Sequence, residues 1–299
     1  MTEQLRAHYL TCGVFTDPGL YGAYFRTLPD DPGELSRLLS RQIIHRVTLA
    51  EGNRNANADL RYGDMERWPW HRAACEDDVY LTAPAMAAGL FRLDGRGFTE
   101  DRRVEDKLVL TCRFVSVLAS SIYKAKGIPC RSRAGFAPYF RPGVSMDHWI
   151  NQVWSGAEGR WITFDADGLY DGLGLPFTPY DMAEDQFDWA SRVWLDIRSG
   201  KEDGRRFVYA DRLGTCGLRA AARYLVYDFH ALMNNEISYV FRPAYLDGFL
   251  QGEAELGEEQ LSELDRLAEL LLDPDRNFSE LADWWEARRH LRQLRSPLV

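Results

Sequence analysis

Between residues 111 and 126, apolar or small side chains recur at Phe114, Val115, Leu118, Ile122 and Ala125. That spacing places them along one face of a helix turning every 3.6 residues. Gly127 suits the position just past the helix end, and Pro129 prevents the helix from continuing. The pattern then changes. Cys130–Phe140, His148–Trp154 and Arg160–Ala166 are rich in aromatic and β-branched residues and separated by turn residues, which predicts three strands.

Helical periodicity dominates the flanks. Leu28-Pro29-Asp30-Asp31-Pro32-Gly33 reads as a loop feeding a helix, with Asp30 or Asp31 as cap and Leu35, Leu38, Leu39 and Gln42–Ile43 as its helical stripe. Residues 53–59 are small and polar and predict an exposed loop, and a second helix is expected over 77–91, ending at Asp94-Gly95-Arg96-Gly97. Beyond a loop-rich stretch, a short strand is expected over 206–210 and helices over 218–234, 257–272 and 277–294, with Trp284-Trp285 docking the last. The expectation is one α+β domain over 1–299, with its core at about 105–170 and helical additions over 1–104 and 215–299.

Composition narrows the class. With 45% hydrophobic and 27% charged residues, the chain has the balance of a folded globular protein. A net charge of −9 and no Lys/Arg run argue against a nucleic-acid partner. There is no basic, apolar leader pattern and no run of about 18 apolar residues, so the reading is cytoplasmic, with no membrane partner. Five cysteines, at 12, 75, 112, 130 and 216, are scattered without a CxxC pair, which reads as reduced thiols rather than a disulfide framework. His71 and Cys75 stand one helical turn apart, but no second ligand pair accompanies them, so neither metal nor cofactor is expected.

Chemistry enters at Cys112. A thiol in the first turn of a helix meets the positive end of the helix dipole and backbone N–H groups without intrahelical partners. Both favour the thiolate, the nucleophilic form. A lone buried cysteine is more often a small core residue, so placement alone does not decide. His148 opens one strand and Asp165 closes the next, joined by Ser155-Gly156-Ala157-Glu158-Gly159. With the turn centred on Gly156-Ala157, Ser155 opposes Glu158 and His148 opposes Asp165, which sets their Cβ atoms about 4.5–5.5 Å apart on one face. A carboxylate there would orient the imidazole toward the thiol. A one-residue slip would put the two on opposite faces. Asp167, two residues on, is the alternative carboxylate.

Cys112-Arg113-Phe114, the run Lys126-Gly127-Ile128-Pro129-Cys130-Arg131-Ser132-Arg133, Asp147-His148-Trp149 and Arg160-Trp161-Ile162-Thr163-Phe164-Asp165 together resemble the transglutaminase-like superfamily, in particular its bacterial transglutaminase-like domain proteins. The resemblance covers residues 111–166. It implies a papain-like architecture, a Cys-bearing helix packed on an antiparallel sheet, with Cys112 as nucleophile, His148 as general base then acid, and Asp165 as orienting carboxylate. The chain departs from eukaryotic transglutaminases in carrying Arg113 after the nucleophile, and it shows no calcium loop.

Arg131 and Arg133 share a strand face and could bind a substrate carboxylate or serve in structural ion pairs. Trp149 could shape an acyl pocket or fill the core. The expected activity is acyl transfer through a thioester on an amide or ester, from a small-molecule or peptide acyl donor to water or an amine. The competing reading is a non-catalytic binding scaffold on the same fold.

Overall fold

A computed structural model describes residues 1–45, 72, 76–168, 173–210 and 214–296. The segment 53–59 and the pair His71 and Cys75 lie outside them. The fold is mixed α+β, and its largest sheet has the order β5–β4–β3–β6 with β7 beside β4. Its strands are β3 (Cys130–Arg141), β4 (Val144–Ser155), β5 (Arg160–Phe164), β6 (Asp188–Trp189) and β7 (Phe207–Val208). The chain divides into two compact units, residues 1–132 with 150–182, and residues 133–149 with 183–299.

In the first unit, α1 (Glu3–Leu10) starts where the Thr2 hydroxyl accepts the Leu5 N–H and buries Leu5 and Tyr9. Asp31 caps α2 (Pro32–Gln42), its Oδ1 accepting the Glu34 N–H at 2.9 Å. The anticipated Leu35, Leu38 and Leu39 are buried. The chain runs straight from α2 into β1 (Ile43–His45), which pairs in parallel with β2 (Leu108–Leu110), His45 in register with Leu110. The helix anticipated from 77 begins later, as α3 (Ala83–Leu93), because Thr82 and Pro84 form a helix start there and leave Glu76–Asp78 as a separate turn.

α4 (Cys112–Ala125) follows β2 after a single residue and is buried from Cys112 through Lys124. It ends as anticipated. Gly127, at φ +75°, donates to the Lys124 carbonyl while Ile128 donates to that of Tyr123, both at 3.0 Å. This paired closure needs the left-handed residue that glycine supplies. One polar stripe of α4 is also satisfied. Ser116 Oγ donates to Ser132 Oγ, and the Asn151 amide donates to the Ser116 carbonyl and to Ser120 Oγ, each at 2.9 Å.

The β4–β5 connection corrects the anticipated register. Ser155 pairs with Arg160, not Glu158, and the ladder runs to Asn151↔Phe164. Gly159, at φ +67°, donates to the Ser155 carbonyl, so Gly156–Gly159 form a four-residue loop rather than a two-residue turn. The shift is two residues, so the faces are kept. Paired residue numbers sum to 315 rather than 313, so the anticipated pairing of 148 with 165 is not that of the ladder. The third strand also ends at Phe164, and Asp165 lies just beyond the ladder, where its N–H donates to the Pro179 carbonyl at 2.8 Å.

In the second unit, β6 lies antiparallel to β3 at Gly135–Phe136. A Cβ at Gly135 would sit 2.6 Å from the Asp188 carbonyl oxygen, so this approach needs glycine. β7, shorter than the anticipated 206–210, joins β4 in parallel. Three helices pack together here: α5 (Ala190–Arg198), α6 (Leu218–Leu232) and α7 (Glu258–Leu271). The last anticipated helix stops at Ala287 as α8 (Phe278–Ala287). A single turn follows, then a short strand, β9 (Leu294–Arg295), paired with β8 (Arg242–Pro243). Trp284 is buried and Trp285 meets Phe229 edge-on at 5.5 Å, the docking role anticipated for this pair.

Candidate active site

The thiol of Cys112 is placed by the β2–α4 junction. Thr111 is extended, its carbonyl accepts the Phe114 N–H at 3.0 Å, and the helix begins at the next residue. Cys112 is buried, with 5% of its surface exposed. Because β1 lies in register with β2, His45 arrives beside Leu110, two residues before the cysteine. From a third direction, the chain leaving β5 delivers Asp167. One nitrogen of His45, the sulfur of Cys112 and one carboxylate oxygen of Asp167 lie within 4.8 Å of one another, all three residues buried. His45 Nε2 stands 3.7 Å from Asp167 Oδ2.

This cluster sets a thiol beside an imidazole, a carboxylate and a helix N-terminus. The helix end and a protonated imidazole favour a thiolate, whereas the carboxylate opposes it and favours the imidazolium. A thiolate–imidazolium–carboxylate set carries one net negative charge, against two without the imidazole's proton.

Asp165 is fully buried in the same unit, and its Oδ1 accepts the Asp167 N–H at 3.0 Å. The two aspartates are thus tied together, and Asp167, the alternative carboxylate, is the one gathered with Cys112. Arg131 Nε donates to Gln152 Oε1 at 2.8 Å, and its guanidinium lies over the rings of Trp161 at 4.2 Å and Tyr9 at 5.0 Å. Arg131 is buried in these contacts.

His148 belongs to the second unit. It is buried there, with the Phe140 ring edge-on at 4.8 Å and the Tyr139 ring at 6.4 Å. Its neighbour Asp147 accepts from the Tyr224 hydroxyl and the Ala210 N–H. Burial still raises the Asp147 carboxyl above its ordinary range. Arg133 is held by Asp228, with Nε and one terminal nitrogen each 2.8 Å from a carboxylate oxygen, and stacks over Trp189. Trp149 is buried with the Tyr227 ring at 6.0 Å.

His45 was not singled out by sequence reasoning. Its signal was faint, a single histidine ending the apolar run Ile43-Ile44 after a helix. Nothing local ties it to a cysteine 67 positions later. Comparison with protein-family models, curated proteins and solved structures finds no match.

Proposed function

We propose that this chain is a thiol-dependent acyltransferase or amidohydrolase of the transglutaminase-like kind, on a papain-like fold. The observation that carries the reading is Cys112 as first residue of a buried 14-residue helix, with an imidazole and a carboxylate gathered at its sulfur. The Cys112 thiolate attacks an amide or ester carbonyl, the leaving group departs with a proton, and a thioester remains for water or an amine to resolve. The imidazole and carboxylate of that cluster are His45 and Asp167, whereas the resemblance to the transglutaminase-like superfamily implies His148 as base then acid and Asp165 as the orienting carboxylate. A small-molecule or peptide acyl donor suits this chemistry. A compartment that keeps thiols reduced, the cytoplasm, suits the nucleophile. No described helix is long and apolar enough to cross a membrane.

Alkylation tests the reading, because burial and activation predict opposite orders. Cys12 and Cys216 are partly exposed, whereas Cys112 is buried. Limiting iodoacetamide at neutral pH, read by peptide mass spectrometry, should label Cys112 at least about tenfold faster than Cys12 or Cys216. Activated acyl esters should leave a thioester mass on Cys112, formed more slowly in His148→Ala. Labelling that follows exposure, with no thioester, overturns the proposal in favour of a non-catalytic scaffold.

A further inference from the structure

The geometry points to a second use of the same thiol: His45, Cys112 and Asp167 form a three-ligand site for a divalent ion of the zinc class, which when bound caps the nucleophile. The three ligands come from separate segments, namely the end of β1, the start of α4 and the chain after β5. All are buried, and their ligating atoms lie within 4.8 Å of one another. The 3.7 Å between His45 Nε2 and Asp167 Oδ2 exceeds a hydrogen bond. It is close to what one tetrahedral ion requires. Bonds of about 2.0–2.2 Å to nitrogen and oxygen separate two ligand atoms by roughly 3.3–3.6 Å. The sulfur, with a bond of about 2.3 Å, completes the set after a small side-chain rotation.

Ligand chemistry selects the ion. Thiolate and imidazole favour Zn²⁺ and its Co²⁺ surrogate, whereas Mg²⁺ and Ca²⁺ prefer all-oxygen sites. Binding forms one bond to the ion from each of the Cys112 thiolate sulfur, a neutral His45 nitrogen and an Asp167 carboxylate oxygen, and releases to solvent the single proton held by the thiol–imidazole pair, with no change of oxidation state. The coordinated sulfur no longer attacks a carbonyl, and the fourth position is left to water. Ion binding itself does not depend on the catalytic reading. Only its consequence, an enzyme held off by the ion, rests on the function proposed above.

The test uses the full chain, stripped with a chelator and titrated with Co²⁺ alone. One equivalent should produce a thiolate-to-cobalt charge-transfer band, absent in Cys112→Ser and displaced by Zn²⁺ but not by Mg²⁺. His45→Ala and Asp167→Asn, checked for folding by circular dichroism, should each weaken binding by at least about 100-fold, since loss of an outer-shell partner alone costs 10–100-fold. Zn²⁺ should slow Cys112 alkylation at least about tenfold, and chelator should restore it. If one variant fails to fold, the other variant and the wild-type charge-transfer band still decide. Absence of that band, binding indifferent to the folded variants, or alkylation indifferent to Zn²⁺ overturns the inference. Fast Cys112 alkylation and thioester formation without zinc protection sinks the metal site and leaves the enzyme. Tight, His45-dependent binding without a thioester does the reverse.

Discussion

Helices α4 and α6 are both buried along nearly their whole length, yet the buried histidine at the start of α4 and the one within α6 meet opposite kinds of partner. On α6, Asp228 and His230 are each closed by complementary partners. Asp228 accepts two bonds from the Arg133 guanidinium and one from the Ala134 N–H. His230 donates from Nε2 to the Leu291 carbonyl at 2.8 Å and accepts the Asn235 amide at Nδ1 at 2.9 Å. This single tautomer satisfies both nitrogens with neutral groups, and burial lowers the imidazole pKa to about 4. At the start of α4, a buried histidine instead meets a carboxylate and a thiol. Partners that can themselves change protonation or bind a ligand leave a site able to react, whereas saturating partners leave one that only holds the fold.

The largest expected contrast is kinetic. Cys112→Ala should abolish thioester formation, a loss of about 10³-fold or more, while leaving the thermal midpoint near that of the parent. A retained thioester mass would move the chemistry away from α4. Next comes the α6 ion pair. Arg133→Ala leaves the Asp228 carboxylate buried without its cation and should cost about 3–5 kcal/mol in urea unfolding. A change under about 1 kcal/mol would show that this pair is not the closed interior described.

A smaller effect follows from His230 and has a definite sign. Its folded pKa of about 4 lies below the unfolded value near 6.5, so the unfolded chain binds the extra proton first. Its contribution to stability is present above pH 6.5 and is lost as pH falls through about 4, by roughly 3 kcal/mol. His230→Gln should flatten that part of the stability–pH curve, and an unchanged slope would place the titration elsewhere. The smallest effect is expected in the middle of α4. Ser120→Ala deprives the Asn151 amide and Ser132 of a partner and should cost about 1–2 kcal/mol without changing Cys112 alkylation. An altered alkylation rate would extend the reactive region beyond the first turn.

Much of α4 was legible in the sequence. Its start at Cys112, its buried face and its closure at Gly127 follow from periodicity and from the left-handed conformation glycine accepts, all local properties. The hairpin was legible in its faces but not in its pairing. Gly159 also takes a left-handed conformation, which lengthens the loop and moves the partner position by two residues. A shift of two preserves side-chain direction within the ladder, so the faces of residues 151–155 and 160–164 follow the anticipated alternation while their anticipated partners do not.

Arg131 and Arg133 show where strand alternation stops being informative. It puts both on one face, but only packing decides that one lies between Trp161 and Tyr9 and the other clasps Asp228. His45 is the clearest case. The sequence by itself determined an α+β chain with a cysteine at the start of a buried helix and a carboxylate at the end of a strand, because helix ends and strand faces are set by neighbouring residues. Only the tertiary structure decided that His45 stands beside that cysteine. The parallel pairing of β1 with β2 joins segments more than 60 residues apart, and no local preference encodes such a pairing.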